Sequence, residues 1–89
     1  MQPNPALQFD EARLLWQCRR GMLELDLMLE TFMEKCFTHL SVRHKQAFVR
    51  LLKTHDQILL EYLMGQTIPT DKDIADVARQ IRAAAGPAS

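Results

Sequence analysis

The residues of this chain that can do chemistry gather around Trp16-Gln-Cys-Arg-Arg-Gly-Met-Leu-Glu-Leu-Asp26. Its centre reads Arg20-Gly21-x-x-Glu24. Glycine there can take a positive φ or let another backbone approach closely. Arg19 and Arg20 then fall in the last turn of a first helix, where positive charge suits the dipole. Glu24 falls in the first turn of a second, able to reach back to free N–H groups. On these grounds the segment is a helix–helix corner. Trp16 lies off the apolar stripe of the first helix, which places it near the surface beside the corner. Exposed tryptophan beside arginine is the composition of an interface hot spot. Met22 flanks the corner as an adaptable apolar contact, and Asp26 adds a second acid. The residue reading leaves two alternatives: a partner-binding surface or a purely structural turn.

Other chemistries find less support. There is no Gly-rich phosphate loop, no GxSxG and no HExxH, and the chain has only 3 glycines. An enzyme is not expected. Cys36 and His39 are spaced i, i+3, with His44 and His55 further on, but the set lacks a recognised zinc spacing, so no metal site is expected. The third helix carries Arg43, Lys45, Arg50 and Lys53. The second carries Asp26, Glu30 and Glu34, which an antiparallel basic neighbour can offset. Lys+Arg and Asp+Glu both number 11, so the formal net charge is zero, which argues against a nucleic-acid partner.

The elements that position the corner follow from periodicity. The 89 residues, 47% of them apolar, make one small globular domain. Residues 1–6 and 83–89 read as loose tails around a single helical domain over 7–82. The apolar spacing predicts helices over 8–19, 22–40, 42–53 and 56–64, and a fifth after Pro69. Ser41 is expected to cap the third helix and Thr70 the fifth, with Gly65 closing the fourth. Ile58, Leu59, Tyr62 and Leu63 are expected inward on the fourth helix, and Ile74, Val77, Ala78 and Ile81 on the fifth. Connections of two to six residues imply antiparallel neighbours. The fold class is therefore all-α, a small antiparallel bundle of about five helices. Cys18 and Cys36 form no CxxC pair and read as small buried hydrophobes. The first twenty residues carry no secretory pattern and no run is long enough to span a bilayer, so a cytoplasmic protein with reduced thiols and no membrane insertion is expected.

The eleven-residue segment 16–26 resembles the signature of the succinate dehydrogenase flavinylation factors, also called FAD assembly factors. The resemblance continues through Phe48-Val-Arg-Leu-Leu52, Tyr62-Leu-Met-Gly65 and Pro69 to Ile81, and spans about residues 10–82. It implies a small helical assembly chaperone that binds the flavoprotein subunit of succinate dehydrogenase, and of fumarate reductase in bacteria. Such a chaperone promotes covalent attachment of FAD to a histidine of that partner. The family motif is carried by Arg20, Gly21 and Glu24. FAD is expected to belong to the partner and not to be held stably by this chain, which is expected to be a monomer. The two tails have no family equivalent. Members of the family have also been described as antitoxins, which makes an inhibitor of a small partner the runner-up. A helical DNA-binding regulator is the weaker third reading.

Overall fold

The computed structural model describes residues 9–86. The proposed tail 1–6 and residues 87–89 of the proposed C-terminal tail lie outside that range. Five α-helices follow one another: α1 (Glu11–Gln17), α2 (Leu23–Lys35), α3 (Val42–Leu51), α4 (Asp56–Leu63) and α5 (Lys72–Ala84). A 3₁₀ turn, Phe37–His39, links α2 to α3. No strand occurs among the described residues. The all-α helical bundle read from periodicity is the observed architecture.

α5 is the hub, packing against α2, α3 and α4. Its sequence explains why. Val77, Ala78 and Ile81 are fully buried and project from one stripe. Small residues at a crossing let helix axes approach, and both Ala47 on α3 and Ala78 on α5 have no exposed surface. Three aromatic rings fill the adjoining space. Phe48 lies 5.4 Å from Phe32 and 5.6 Å from Phe37, ring centre to ring centre. Phe9 closes the edge of Phe37 at 5.9 Å and 85°. Each offset or edge-on pair adds about 0.5–1.5 kcal/mol beyond burial.

Several boundaries differ from expectation, each for a local reason. The second helix ends at Lys35, not Leu40, because the chain tightens into the 3₁₀ turn while keeping Phe37 in the core. The third and fourth end at Leu51 and Leu63. Gly65, at φ 76°, takes the left-handed conformation that closes α4. α5 runs to Ala84, two residues past the expected domain edge. Ile58, expected inward, is 41% exposed, while Leu59 and Leu63 carry the buried face of α4. Cys18 is fully buried, which pushes its thiol up to about 12 and leaves it unreactive at neutral pH, whereas Cys36 is only half-buried.

Capping follows side-chain chemistry. Ser41 accepts from the His44 N–H at 3.1 Å, as its position predicts. The cap of α5 is Asp71 and not Thr70: its Oδ1 accepts from the N–H groups of Asp73 (2.9 Å) and Ile74 (3.1 Å). The basic face of α3 is matched by α5, not by the acidic stripe of α2. Arg43 bonds Asp73 at 2.8 Å and Arg50 bonds Asp71 at 3.2 Å. These pairs are exposed and contribute little to stability.

The Ile74 N–H, helped by Arg50, holds the Asp71 carboxyl below its ordinary 3.8. The ionised cap therefore stabilises the fold above the unfolded-state pKa, and this is lost as pH falls through the lower folded-state value. Asp71→Asn keeps a capping oxygen but no charge. The parent is expected to be the more stable at pH 6 by urea unfolding, and the gap is expected to close as pH falls below 3.8. A gap constant with pH contradicts this.

Candidate functional site at the corner between α1 and α2

The corner is built by three backbone devices. α1 stops at Gln17, and the Cys18 N–H folds back onto the carbonyls of Leu14 and Leu15, both at 3.1 Å. Gly21 then turns the chain at φ 81°. Met22 enters α2 in extended conformation and offers its N-terminus no side-chain cap. Asp26, in the first turn of α2, instead clamps the turn that precedes the helix. Its Oδ1 accepts from the Arg20 N–H at 2.8 Å and its Oδ2 from the Gly21 N–H at 3.2 Å. The expectation that Glu24 reaches back is thus corrected: Asp26, two residues on, has the reach, and Glu24 stays exposed.

A Cβ at Gly21 would meet nothing within 4 Å, so the glycine is required by conformation and not by crowding. Gly21→Ala is expected to cost about 1–2 kcal/mol, the penalty of left-handed backbone for a residue with a Cβ. Gly21→Asn should cost less, since asparagine tolerates that region. Thermal melts of the two variants decide it. An alanine variant melting with the parent would show that the turn relaxes.

Arg19 and Arg20 both lie beyond the end of α1, not in its last turn as expected, because the helix closes two residues earlier. Their fates then diverge. The Arg19 guanidinium sits over the Trp16 ring, 5.7 Å from its centre, and stays exposed. Arg20 turns inward. Its Nη1 donates to Asp56 Oδ1 at 3.2 Å and its Nη2 to the Leu52 carbonyl, with 16% of the side chain exposed. Leu52 follows the last residue of α3, and Asp56 begins α4. Arg20 therefore ties the first helix corner to the one between α3 and α4, and satisfies a carbonyl left open at a helix end. Its Nε is buried without a partner.

Large apolar side chains of α1 and α2 face solvent near the corner. Trp16 is 69% exposed, Leu23 77% and Leu27 55%. Met22, read from the sequence as an adaptable apolar contact at the corner, is half-buried and packs on the core. The two leucines were missed by reading only the inward stripe. Their signal is a second, i and i+4 apolar pair on the opposite side of α2.

A second cluster lies away from this corner. His44, Asp73 and Asp76 bring possible ligand atoms within 4.8 Å of one another. Asp73 already accepts from Arg43, and Asp76 from Arg79 at 2.6 Å, so the cluster is an ion-pair network between α3 and α5. Of the cysteine and histidines noted in the sequence, only His44 belongs to it.

Comparison with known proteins identifies the setting of this corner. A family model described as flavinator of succinate dehydrogenase matches residues 12–85. A FAD assembly factor of Shewanella oneidensis is 40% identical over 76 residues, covering 85% of this chain and 93% of that protein. One from Methylococcus capsulatus is 42% identical over 77 residues, covering 86% and 93%. One from Coxiella burnetii is 39% identical over 70 residues, covering 79% and 85%. The match takes in the corner, the tie to α3 and α4 and the whole of α5, and the chain belongs to the family of flavinators of succinate dehydrogenase.

Proposed function

We propose that this chain is an assembly factor that binds the flavoprotein subunit of succinate dehydrogenase, and of fumarate reductase, and promotes covalent attachment of FAD to it. The observation that carries this reading is the exposed apolar surface of Trp16, Leu23 and Leu27 beside a corner whose backbone is clamped by Asp26. Exposed large apolar residues on a small domain mark an interaction surface. Arg19 and Glu24 lie at the same corner and supply its polar contacts, and Gly21 turns the chain between them. Arg20 and Asp26 shape the surface from behind, and Met22 anchors it to the core.

The chain acts as a binding partner rather than as an enzyme. FAD and the accepting histidine belong to the flavoprotein, and covalent attachment requires the two to be aligned. Positioning alone can lower such a barrier substantially. By binding one conformation of the partner better than others, the assembly factor raises the population in which alignment is achieved. It works as a monomer in the cytoplasm. No helix of the described residues is long and apolar enough to cross a membrane.

The test is co-expression with the flavoprotein subunit in cells lacking their own factor. Covalent flavin, read as fluorescence of the denatured flavoprotein band, is expected with the chain and absent without it. Equal flavin in both cultures overturns the proposal.

A further inference from the structure

On the side of α1 that faces α3, a groove of about 490 Å³ runs between the start of α1 and the end of α3. Its apolar lining comes from Phe9, Leu14, Val49 and Leu52. Its charged lining is lopsided: Arg13, Arg19, Arg20 and Lys53 against one acid, Asp10. That acid is already engaged, because Asp10 Oδ1 accepts from the Arg13 N–H at 3.0 Å and caps α1. Arg20 is matched by Asp56. Among the described residues Arg13, Arg19 and Lys53 pair with no carboxylate. A chain with zero formal net charge thus concentrates unmatched positive charge in one concave site.

We propose that this groove holds an acidic, extended segment of the flavoprotein partner, its carboxylates meeting Arg13, Arg19 and Lys53. The assignment deepens the function proposed above and rests on it. Three observations select the occupant. Arg19 lines the groove and also stacks on Trp16, so the groove adjoins that exposed ring. Residues 1–8, which precede Phe9 in the sequence, include no Asp or Glu and so supply no side-chain carboxylate. The walls present side-chain cations over an apolar floor and no glycine, the lining of a peptide groove and not of a phosphate cradle built from backbone N–H groups.

The groove and the corner can be tested separately by binding to the isolated flavoprotein subunit at 50 and 250 mM NaCl. Arg13 and Lys53 are exposed, so Arg13→Gln/Lys53→Gln should melt with the parent. It is expected to weaken binding about 10-fold at low salt and to flatten the salt dependence, the behaviour of charges at the edge of an interface. Trp16→Ala should weaken binding while leaving the salt dependence intact. If the double variant binds like the parent with the same salt dependence, while Trp16→Ala is impaired, the groove proposal falls and the assembly function stands. If the parent itself fails to bind the flavoprotein, both fall.

Discussion

Arg20→Ala is expected to lower the melting temperature by roughly 8–24 °C, far more than loss of a surface charge would. The side chain is largely buried and bonds two elements more than 30 positions away in sequence, Leu52 and Asp56. Removing it deletes charge-assisted hydrogen bonds and strands the Leu52 carbonyl, at a cost of about 2–3 kcal/mol. For a domain of this size each kcal/mol moves the melt by about 4–8 °C. Arg20→Lys should recover only part of the loss, because an ammonium cannot reach both acceptors from one planar fork. A double-mutant cycle with Asp56→Ala separates an internal tie from a partner contact. Coupling of about 0.5–2 kcal/mol in stability is expected with no partner present. Additive effects would mean that the pair contributes nothing to the fold. Flavinylation by Arg20→Ala should fall because the corner loosens, and it should recover when the assay is run well below the variant's melt.

Glu24→Ala is expected to do the reverse: it spares the fold and removes the activity. Glu24 is exposed in the first turn of α2, where its charge favours the helix by about 0.3–1 kcal/mol. Its loss should therefore shift the melt by only a few degrees. A carboxylate that becomes buried against a charged partner group is worth about 2–5 kcal/mol of affinity when truncated. That corresponds to roughly thirty-fold or greater weakening. Covalent flavin on the co-expressed flavoprotein should drop accordingly, with Glu24→Gln intermediate. Normal covalent flavin with Glu24→Ala would remove Glu24 from the working surface. The two variants together divide the Arg-Gly-x-x-Glu motif into an inward half and an outward half.

What the sequence made legible was local. The α5 stripe of Val77, Ala78 and Ile81, the Ser41 cap and the Gly65 turn each depend on neighbours within a few positions, and each was read correctly. Errors of one or two positions arose where adjacent residues offered similar chemistry. Thr70 and Asp71 are both good caps, and it is Asp71 whose side chain accepts from the first free N–H groups of α5. Glu24 and Asp26 both sit in the first turn of α2, and only the path of the Gly21 turn decides which one reaches back. The inward turn of Arg20 was illegible for a deeper reason. Its partners lie 32 and 36 positions along the chain, and no periodicity brings them to it. Leu23 and Leu27 were overlooked because amphipathic reading assigns the outer face of a helix to solvent.

The double grip of Asp26 on Arg20 and Gly21 also bears on how quickly and how tightly a partner can be met. Fixing the backbone of a floppy residue costs about 1–2 kcal/mol each, and a corner that had to be ordered on contact would subtract that from every binding event. Here both carboxylate oxygens already hold the turn, and Gly21 adopts its demanding conformation in the free chain. The surface is therefore preorganised. Docking then resembles the meeting of two rigid bodies, with an association rate set by orientation and steering rather than by a folding step. Loosening Asp26 would show first as slower, salt-insensitive association, even where the final complex formed.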